Sequence, residues 1–251
     1  MIDIHSHILF GLDDGAETLE ESVGMARMAA AAGTTDMVAT PHANQVYEFD
    51  PQIVESKIVQ LQAAVGETLR IHYGCELHLT MENIEDALRS PEKYTINHRG
   101  YLLVEFSDLL VPKTIGEILA RILAAGMRPM VAHPERNPLL QKRVGEMQAW
   151  IAQGASLQVT AQSLLGRYGR SAKASAHELL RSGMVHVLAS DAHDLEHRPT
   201  ALDESRAYVE REFGQEAAER LLEENPRCVL AGAAISGVSV AIKPKKWFRP
   251  W

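Results

Sequence analysis

The sequence predicts an α/β fold in which parallel strands close into a barrel with helices outside. Short runs rich in Val, Ile and Leu are each followed by a longer stretch of helical period, and about seven such units follow one another. No long linker or low-complexity segment interrupts the 251 residues, a length sufficient for one large domain. The repeated order favours a barrel. An open, doubly wound sheet is the competing topology, because periodicity does not distinguish the two.

The predicted elements alternate along the chain. Strands are expected at 1–6, 35–40, 69–77, 100–107, 127–133, 156–160 and 185–190. Helices are expected at 18–32, 51–67, 114–125, 144–153, 172–182 and over 201–223. Thr18 and Glu21 have the spacing of a capping box at the start of the first helix, and Pro51 suits the first turn of the second.

Composition narrows the class of protein. The formal charge of −8 argues against nucleic acid as a partner, because affinity for polyanions comes largely from Lys and Arg that neutralise phosphates. Cys75 and Cys228 are too few for a disulfide framework in a chain with a large core, which favours a reducing compartment. No stretch approaches 18 apolar residues, and no basic region precedes an apolar run at the N-terminus. We therefore expect a cytoplasmic protein without a membrane span.

Polar residues follow the predicted strands at the point where each strand ends. They are His5 and His7, His42, Glu76, Glu105, His133, and Asp191 with His193. In a parallel α/β barrel these ends meet at one face, so residues nearly two hundred positions apart would converge. Each of these residues alone is more often a surface or satisfied core residue. Their joint pattern predicts a polynuclear metal site, because carboxylates clustered this closely would repel one another without cations.

The motifs at these strand ends resemble one known superfamily. "DIHSHILFGLDDG", "ATPH", "GCELH", "LVEFS", "AHPER" and "SDAHDLEHRP" occur in the order found in the polymerase-and-histidinol-phosphatase (PHP) superfamily, over about residues 1–200. More narrowly, the chain resembles the bacterial metal-dependent protein tyrosine phosphatases of capsule and exopolysaccharide operons. "DDG" is the specific feature, since other PHP branches usually carry a third His where this chain has Asp14. The resemblance implies a distorted (β/α)7 TIM-like barrel spanning 1–251 as a single domain.

The resemblance also implies a centre of three divalent metal ions. One ion would be held by His5, His7, Glu76 and Asp191; a second by Glu76 as a bridge with Glu105 and His133; the third by Asp14, His42 and His193. Imidazole and carboxylate ligands suit Mn, Fe or Zn, and the resemblance favours Mn2+. Asp13 is left over, and we expect it to orient the loop or a ligand rather than to bind metal.

Two arginines match phosphate-binding positions of the resembled family. Arg136 lies three positions after His133, and Arg198 lies in "EHRP", so both are expected on loops near the metals. Planar guanidinium groups bind phosphoryl oxygens in pairs. Phenolate is a moderately good leaving group, since tyrosine has a pKa near 10. Asp194 or Glu135 is the candidate proton donor to that group.

The expected activity is dephosphorylation of the phosphotyrosine tail of a bacterial tyrosine autokinase that controls capsular or exopolysaccharide synthesis and export. The alternative is a small-molecule phosphoesterase of the histidinol-phosphatase kind. A non-catalytic metal-bound scaffold and an amidohydrolase on a related barrel are further rivals. The basic and aromatic segment at about 241–251 is expected to be solvated or to pack in a homo-oligomer. Its functional alternative is contact with an anionic membrane surface.

Overall fold

The strands that the structure describes all run parallel. The structure is a computed structural model that describes residues 1–237, and within that range it contains nine strands. They are β1 (Ile2–Ser6), β2 (Asp36–Ala39), β3 (His42–Ala43), β4 (Arg70–Tyr73), β5 (Glu76–His78), β6 (Tyr101–Glu105), β7 (Arg128–Ala132), β8 (Ser156–Thr160) and β9 (Val187–Ala189).

Helices follow the strands and cover their outer side. They are α1 (Leu19–Ala31), α2 (Pro51–Val65), α3 (Met81–Arg89), α4 (Pro91–Tyr94), α5 (Ile115–Ala124), α6 (Val144–Gln153), α7 (Ala161–Leu165), α8 (Gly169–Arg181), α9 (Asp203–Phe213), α10 (Gln215–Glu219) and α11 (Asn225–Ala231). A π-helical turn, Arg220–Glu224, joins α10 to α11. Thr18 caps α1 by accepting a hydrogen bond from the Glu21 amide, and Pro51 occupies the first turn of α2.

Seven strands in effect close the barrel, because β2–β3 and β4–β5 are each one strand with an interruption. The strand orders are β1-β2-β4 and β3-β5-β6-β7-β8-β9. One interruption contains Pro41, which cannot donate to a strand ladder. The other contains Gly74, where a Cβ would lie 2.7 Å from Val38 Cγ1. These two breaks are the distortion in the barrel.

The ring closes between β1 and the segment after β9. Ser6 and Ala192 form a parallel bridge, the His7 amide donates to the Ala192 carbonyl at 2.8 Å, and the Asp191 amide donates to the His5 carbonyl at 2.9 Å. The predicted distorted (β/α)7 barrel is therefore confirmed, and the open sheet is wrong. Closure also places the last predicted ligands beside the first.

Two apolar clusters hold the barrel together. One combines residues of β1, β2, β6, β7 and β9, which meet only in the barrel interior: Ile2, Ile4, Val38, Leu103, Met130 and Val187, with Val229 of α11 beneath them. The other lies between the strands and the helices and includes Met25, Leu61, Leu119, Trp150 and Leu180. This core leaves the C-terminal ends of the strands free for polar side chains.

The predicted strands and helices are present, with ends that differ by a few residues. The predicted strand 69–77 is divided into β4 and β5, and the predicted 201–223 helices extend as α9, α10 and the π-helical turn. Helices α3, α4, α7 and α11 were not predicted. No helix within residues 1–237 is both long and apolar enough to cross a membrane. The basic and aromatic segment 241–251 lies outside the described residues, so the single-domain extent 1–251 stays a prediction.

Candidate metal centre

The nine predicted ligands lie together at the C-terminal rim of the barrel. The donor atoms of eight of them form three groups, in each of which the atoms lie within 4.8 Å of one another, while His133 contacts Glu76 and Glu105. The groups are His5, His7, Glu76 and Asp191; His42, Glu76 and Glu105; and His7, Asp14, His42 and His193.

The first group is fully buried. The Nε2 atom of His5 lies 3.3 Å from Glu76 Oε2 and 3.4 Å from Asp191 Oδ1. The Nε2 atom of His7 lies 3.2 Å and 3.5 Å from the same two oxygens. Two imidazole nitrogens and two carboxylate oxygens thus face a common point, which is the arrangement of a four-ligand cation site.

Glu76 belongs to two of the groups. Its Oε1 lies 2.8 Å from His133 Nε2, and its Oε2 lies 3.2 Å from His42 Nδ1. Glu105 completes this side, with Oε1 3.8 Å from His133 Nε2 and Oε2 3.9 Å from His42 Nδ1. The carboxylate of Glu76 is therefore placed to bridge two cations.

The third group lies nearer the surface. Asp14 Oδ1 is 3.4 Å from His42 Nε2 and 3.5 Å from His193 Nε2. Both nitrogens of His42 point at donor groups, Nδ1 towards Glu76 and Nε2 towards Asp14. The family resemblance implies one group each for His42 and His7, whereas the structure places each of them between two.

The donor set fits divalent cations. Four buried atoms of the cluster have no hydrogen-bond partner: Glu76 Oε2, Asp191 Oδ1, His42 Nδ1 and His193 Nε2. Unpaired buried polar atoms are rare and costly, so their convergence points to an ion that pairs with them. Imidazole nitrogens with carboxylate oxygens are ligands that suit Mn, Fe or Zn.

The pKa shifts of the first group show how strongly its imidazoles and carboxylates interact. Burial opposes charge on His5 and His7, yet the adjacent carboxylates raise the pKa of both imidazoles above the ordinary value. Burial likewise opposes charge on Glu76 and Asp191, yet the surrounding cationic groups hold the pKa of each carboxyl well below its usual range. The carboxylates therefore remain ionised, and positive charge on the surrounding imidazoles and guanidinium groups, or on a cation among them, compensates them.

His5, His7 and His193 are each oriented through the second ring nitrogen. His7 Nδ1 contacts Asp13 Oδ2 at 2.7 Å, and His193 Nδ1 contacts the Asp191 carbonyl at 3.1 Å. His5 Nδ1 contacts Gln158 Oε1 at 2.9 Å. Such contacts fix the tautomer and direct Nε2 at the metal position. Asp13 has the expected orienting position, and it also accepts from the Gly15 and His42 amides.

Gln158 was missed from the sequence. It lies in β8, is fully buried, and its Oε1 also accepts from the His133 amide at 3.3 Å. One amide oxygen thus holds two predicted ligands from different strands. The available signal was a single polar residue in the middle of the strand "SLQVT", which by itself does not indicate a partner.

Two ligand positions have strained backbones. His133 and Asp191 have φ values of 32° and 51°, in the left-handed region that non-glycine residues rarely adopt. His133 follows β7 directly, and Asp191 lies two residues after the end of β9. Strain of this kind persists where the surroundings enforce it and is concentrated at functional sites.

The two predicted phosphate-binding arginines meet at one ligand. Arg136 Nη1 and Arg198 Nη2 both donate to Asp191 Oδ2, the latter at 2.7 Å, so that Oδ1 is left to face the histidines. The Arg136 guanidinium lies over the Tyr168 ring, 4.3 Å from its centroid. Both arginine side chains are 25% exposed, so they border the centre without being sealed into it.

The two candidate proton donors are placed differently. Asp194 Oδ1 accepts from the amides of Glu196, His197 and Arg198. Burial raises the pKa of Asp194, but these amides lower it by more. This geometry favours a role in shaping the loop that carries Arg198 over proton donation.

Glu135 is fully buried, and its Oε1 accepts from the Thr160 amide and the Ser163 hydroxyl. Burial raises the pKa of Glu135. These contacts bind the loop after β7 to the end of β8. They favour a structural role for Glu135, because its Oε1 is already hydrogen-bonded and its fully buried carboxyl has no access to a substrate leaving group.

A closed α/β barrel with buried imidazoles and carboxylates converging at its strand ends defines a metal-dependent hydrolase architecture. The family described as capsular polysaccharide synthesis, CpsB/CapC, matches residues 1–231. The chain belongs to this family, which confirms the resemblance recognised in the sequence.

Full-length relatives support the assignment. The chain is 34% identical over 239 residues to the tyrosine-protein phosphatase YwqE of Bacillus subtilis, covering 94% of this chain and 93% of the relative. It is 34% identical to the tyrosine-protein phosphatase CpsB of Streptococcus agalactiae, covering 92% and 98%. A crystal structure from work on YwqE of B. subtilis and CpsB of Streptococcus pneumoniae, described as unique metal-dependent tyrosine phosphatases, superposes with a TM-score of 0.89 at 32% identity, covering 96% and 99%.

A more distant structure shows the fold alone. The histidinol phosphate phosphatase of Lactococcus lactis, complexed with zinc, L-histidinol and phosphate, matches with a TM-score of 0.56 at 14% identity. At that identity the likeness extends to the barrel and does not favour its substrate for this chain.

Proposed function

We propose that this metal-dependent tyrosine phosphatase of the CpsB/CapC and YwqE type holds three divalent ions and acts on phosphotyrosine in a bacterial tyrosine autokinase that controls capsular or exopolysaccharide synthesis. The observation that carries the proposal is the convergence of eight imidazole and carboxylate side chains in three donor groups, with His133 against Glu76 and two arginines beside Asp191. The capsular family and its full-length phosphatase relatives support the choice of substrate.

The residues that we assign to the metals are those that the family resemblance implies, and the contacts of His133 with Glu76 and Glu105 support its place in the second set. His5, His7, Glu76 and Asp191 hold the first ion; Glu76, Glu105 and His133 the second; Asp14, His42 and His193 the third. We propose Mn2+, with Fe or Zn as chemically suitable substitutes. When bound, such a cluster lowers the pKa of water to generate a nucleophile near neutral pH and neutralises the oxygens of an in-line phosphoryl transfer.

The residues of the chain position the phosphate. Arg136 and Arg198 are proposed to bind its non-reacting oxygens, because two planar guanidinium groups already converge on Asp191 at the edge of the centre. Tyr168 supports Arg136 from one side and restricts its rotation. Substrate binding would turn these groups from Asp191 towards the phosphate while leaving the ligand oxygen Oδ1 in place.

Proton transfer to the phenolate is the least demanding step, since the leaving group has a pKa near 10. Asp194 remains our prediction for the donor, although its Oδ1 is engaged by backbone amides. If Asp194→Ala leaves the dependence of kcat on leaving-group pKa unchanged, Asp194 has no such role.

The cellular setting is part of the proposal. We propose a cytoplasmic enzyme without a nucleic-acid partner, in which residues 241–251 are solvated or pack in a homo-oligomer, with contact to an anionic membrane surface as the functional alternative. A liposome sedimentation comparison of the full chain with one ending at residue 241 tests the membrane contact. Equal binding of the two proteins would exclude it.

The deciding experiment compares turnover of a phosphotyrosine peptide, a phosphoserine peptide and histidinol phosphate, with the metal content measured on the same sample. We expect the phosphotyrosine peptide to be preferred and Asp191→Asn to lose both metal and activity. His98→Ala is the matched control, since His98 lies outside all three donor groups and is 41% exposed. Preferential hydrolysis of histidinol phosphate would overturn the substrate assignment and favour the small-molecule alternative.

A further inference from the structure

A cavity of about 610 Å³ opens beside the metal centre. Three predicted ligands, Asp14, His42 and Glu105, line it together with an apolar wall, which consists of Val46, Tyr47, Leu79, Leu110 and Pro112. The cavity is therefore continuous with the reacting centre, and whatever occupies it lies next to the scissile bond.

The loops around this cavity expose hydrophobic side chains. Seven large hydrophobic residues are exposed in residues 1–237, and four of them are in or next to the cavity lining. Val46 is 78% and Leu110 68% exposed; Leu109, beside Leu110, is 92% exposed, and Met81, beside Thr80 of the lining, is 58% exposed. Scattered exposed hydrophobic residues are normal, whereas a group of them at one opening is typical of a binding surface.

Hydrogen bonds hold these loops in shape. Asn44 Oδ1 accepts from the amides of Val46 and Tyr47, at 2.8 Å and 2.9 Å. The Tyr47 ring stacks on the His42 ring with centroids 6.0 Å apart and planes at 10°. The exposed position of Val46 is therefore built into a turn that is attached to a predicted metal ligand.

The opposite loop is held in the same way. The Leu109 amide donates to Ser107 Oγ at 3.1 Å, and the Asn137 side chain donates to the Ser107 carbonyl at 3.1 Å. A binding surface that is already ordered loses little conformational entropy when a ligand arrives.

Charge divides the surroundings of the centre into two sides. Arg136 lines a separate cavity of about 390 Å³ with His133 and Tyr168, and Glu105 lines both cavities. The residues that line the cavity with the apolar wall include Asp14 and Glu105 but neither Lys nor Arg. The phosphate is thus expected on the arginine side, while the apolar side is unsuited to a second phosphate or to acidic residues.

We propose that the apolar rim, defined as Val46, Tyr47, Leu109 and Leu110, binds apolar side chains adjoining the phosphotyrosine of a polypeptide substrate. This inference rests on the proposed function and adds the residues that select the substrate sequence. A small phosphate ester fills the metal centre without covering Leu109 and Leu110, whereas a peptide continues across them. The rim therefore favours polypeptides whose flanking residues are apolar and uncharged.

The test compares three substrates: a phosphotyrosine peptide with Leu or Phe flanks, the same peptide with Ser flanks, and p-nitrophenyl phosphate. The variants are Val46→Ser and the double variant Leu109→Ser with Leu110→Ser, and the matched control is Val59→Ser, an exposed position on α2. We expect the double variant to lose about 10-fold in kcat/KM for the apolar-flanked peptide. Its turnover of p-nitrophenyl phosphate should stay at the level of the unmodified chain, which also shows that it folds.

Other outcomes distinguish failure of the inference about the apolar rim from failure of the proposed function. Equal kcat/KM for the apolar and Ser-flanked peptides in the unmodified chain would overturn the inference, and so would a preference for acidic flanks. A change of oligomeric state in the double variant, with peptide preference unaltered, would identify the rim as a contact between copies of the chain and would also overturn it. If no phosphotyrosine substrate is hydrolysed while histidinol phosphate is, the proposed function itself fails.

Discussion

Replacing Gln158 by leucine tests whether the metal centre depends on a residue that does not touch the metal. Gln158 Oε1 accepts hydrogen bonds from two predicted ligands, from His5 Nδ1 at 2.9 Å and from the His133 amide at 3.3 Å. Leucine has a similar volume, so the substitution removes these contacts without opening a large cavity. The expected effect therefore comes from the lost acceptor.

The magnitude follows from the groups left unpaired. Two buried donors lose their acceptor, at a cost of about 1–3 kcal/mol each. The same substitution also removes Gln158 Nε2, a buried atom that has no partner. Loss of that unpaired atom offsets the cost of about one of the two donors. We expect the free energy of unfolding to fall by about 1–3 kcal/mol. Metal affinity should fall about 10- to 100-fold, as is usual when the orienting partner of a metal-binding histidine is lost.

Two measurements check this prediction. Chemical denaturation gives the change in the free energy of unfolding, and titration of the metal-depleted protein with Mn2+ gives the affinity independently of turnover. Gln158→Glu is the conservative control, because its carboxylate retains an acceptor for His5 and should keep most of the affinity. An affinity and metal content in Gln158→Leu equal to those of the unmodified chain would refute the reasoning.

Three further predictions concern a ligand, a phosphate contact and a buried histidine. Asp191→Asn should lower kcat/KM by about 1000-fold or more with the far-UV circular dichroism retained, because it weakens metal binding rather than the core; activity near that of the unmodified chain would contradict the site. Arg136→Lys should lower kcat/KM for a phosphotyrosine peptide about 10- to 100-fold through loss of paired hydrogen bonds; Arg143→Lys, at the start of α6 with a side chain 23% exposed, is the control, and equal losses in both would refute a specific role. Burial lowers the pKa of His186 to about 4, so its contribution to stability is full above pH 6.5 and is lost as the pH falls from 6.5 to 4. Between pH 7.5 and 5 the unmodified chain should lose about 2 kcal/mol more than His186→Asn at the same metal concentration; parallel losses on denaturant titration would be inconsistent with a neutral buried imidazole.

The local pattern of the chain predicts much of the fold. The alternation of apolar runs with helical periods places the seven strands, because each strand must bury its apolar faces and each helix its apolar stripe. Short helices such as α4 and α7 cannot be predicted in this way, since fewer than two turns show no measurable hydrophobic period. The breaks at Pro41 and Gly74 also leave the apolar pattern intact, so the predicted strand 69–77 reads as continuous although β4 and β5 divide it.

Ligand positions could be proposed from the sequence because each one follows a strand. His5, His42 and Asp191 stand out as polar residues directly after apolar runs. Their distribution among three donor groups could not be proposed in this way, since it depends on ring orientation. His42, for instance, directs one nitrogen at Glu76 and the other at Asp14.

By itself the sequence determines that strands alternate with helices and that imidazoles and carboxylates end those strands, because both properties depend on neighbours within a few residues. Only the tertiary structure decides that the ring closes between Ser6 and Ala192, that Gln158 orients His5 across 153 positions, and that Arg136 and Arg198 share Asp191. The physical reason is that these contacts join groups remote in the chain. Their geometry is set by how the strands pack and tilt, which no local pattern of residues encodes.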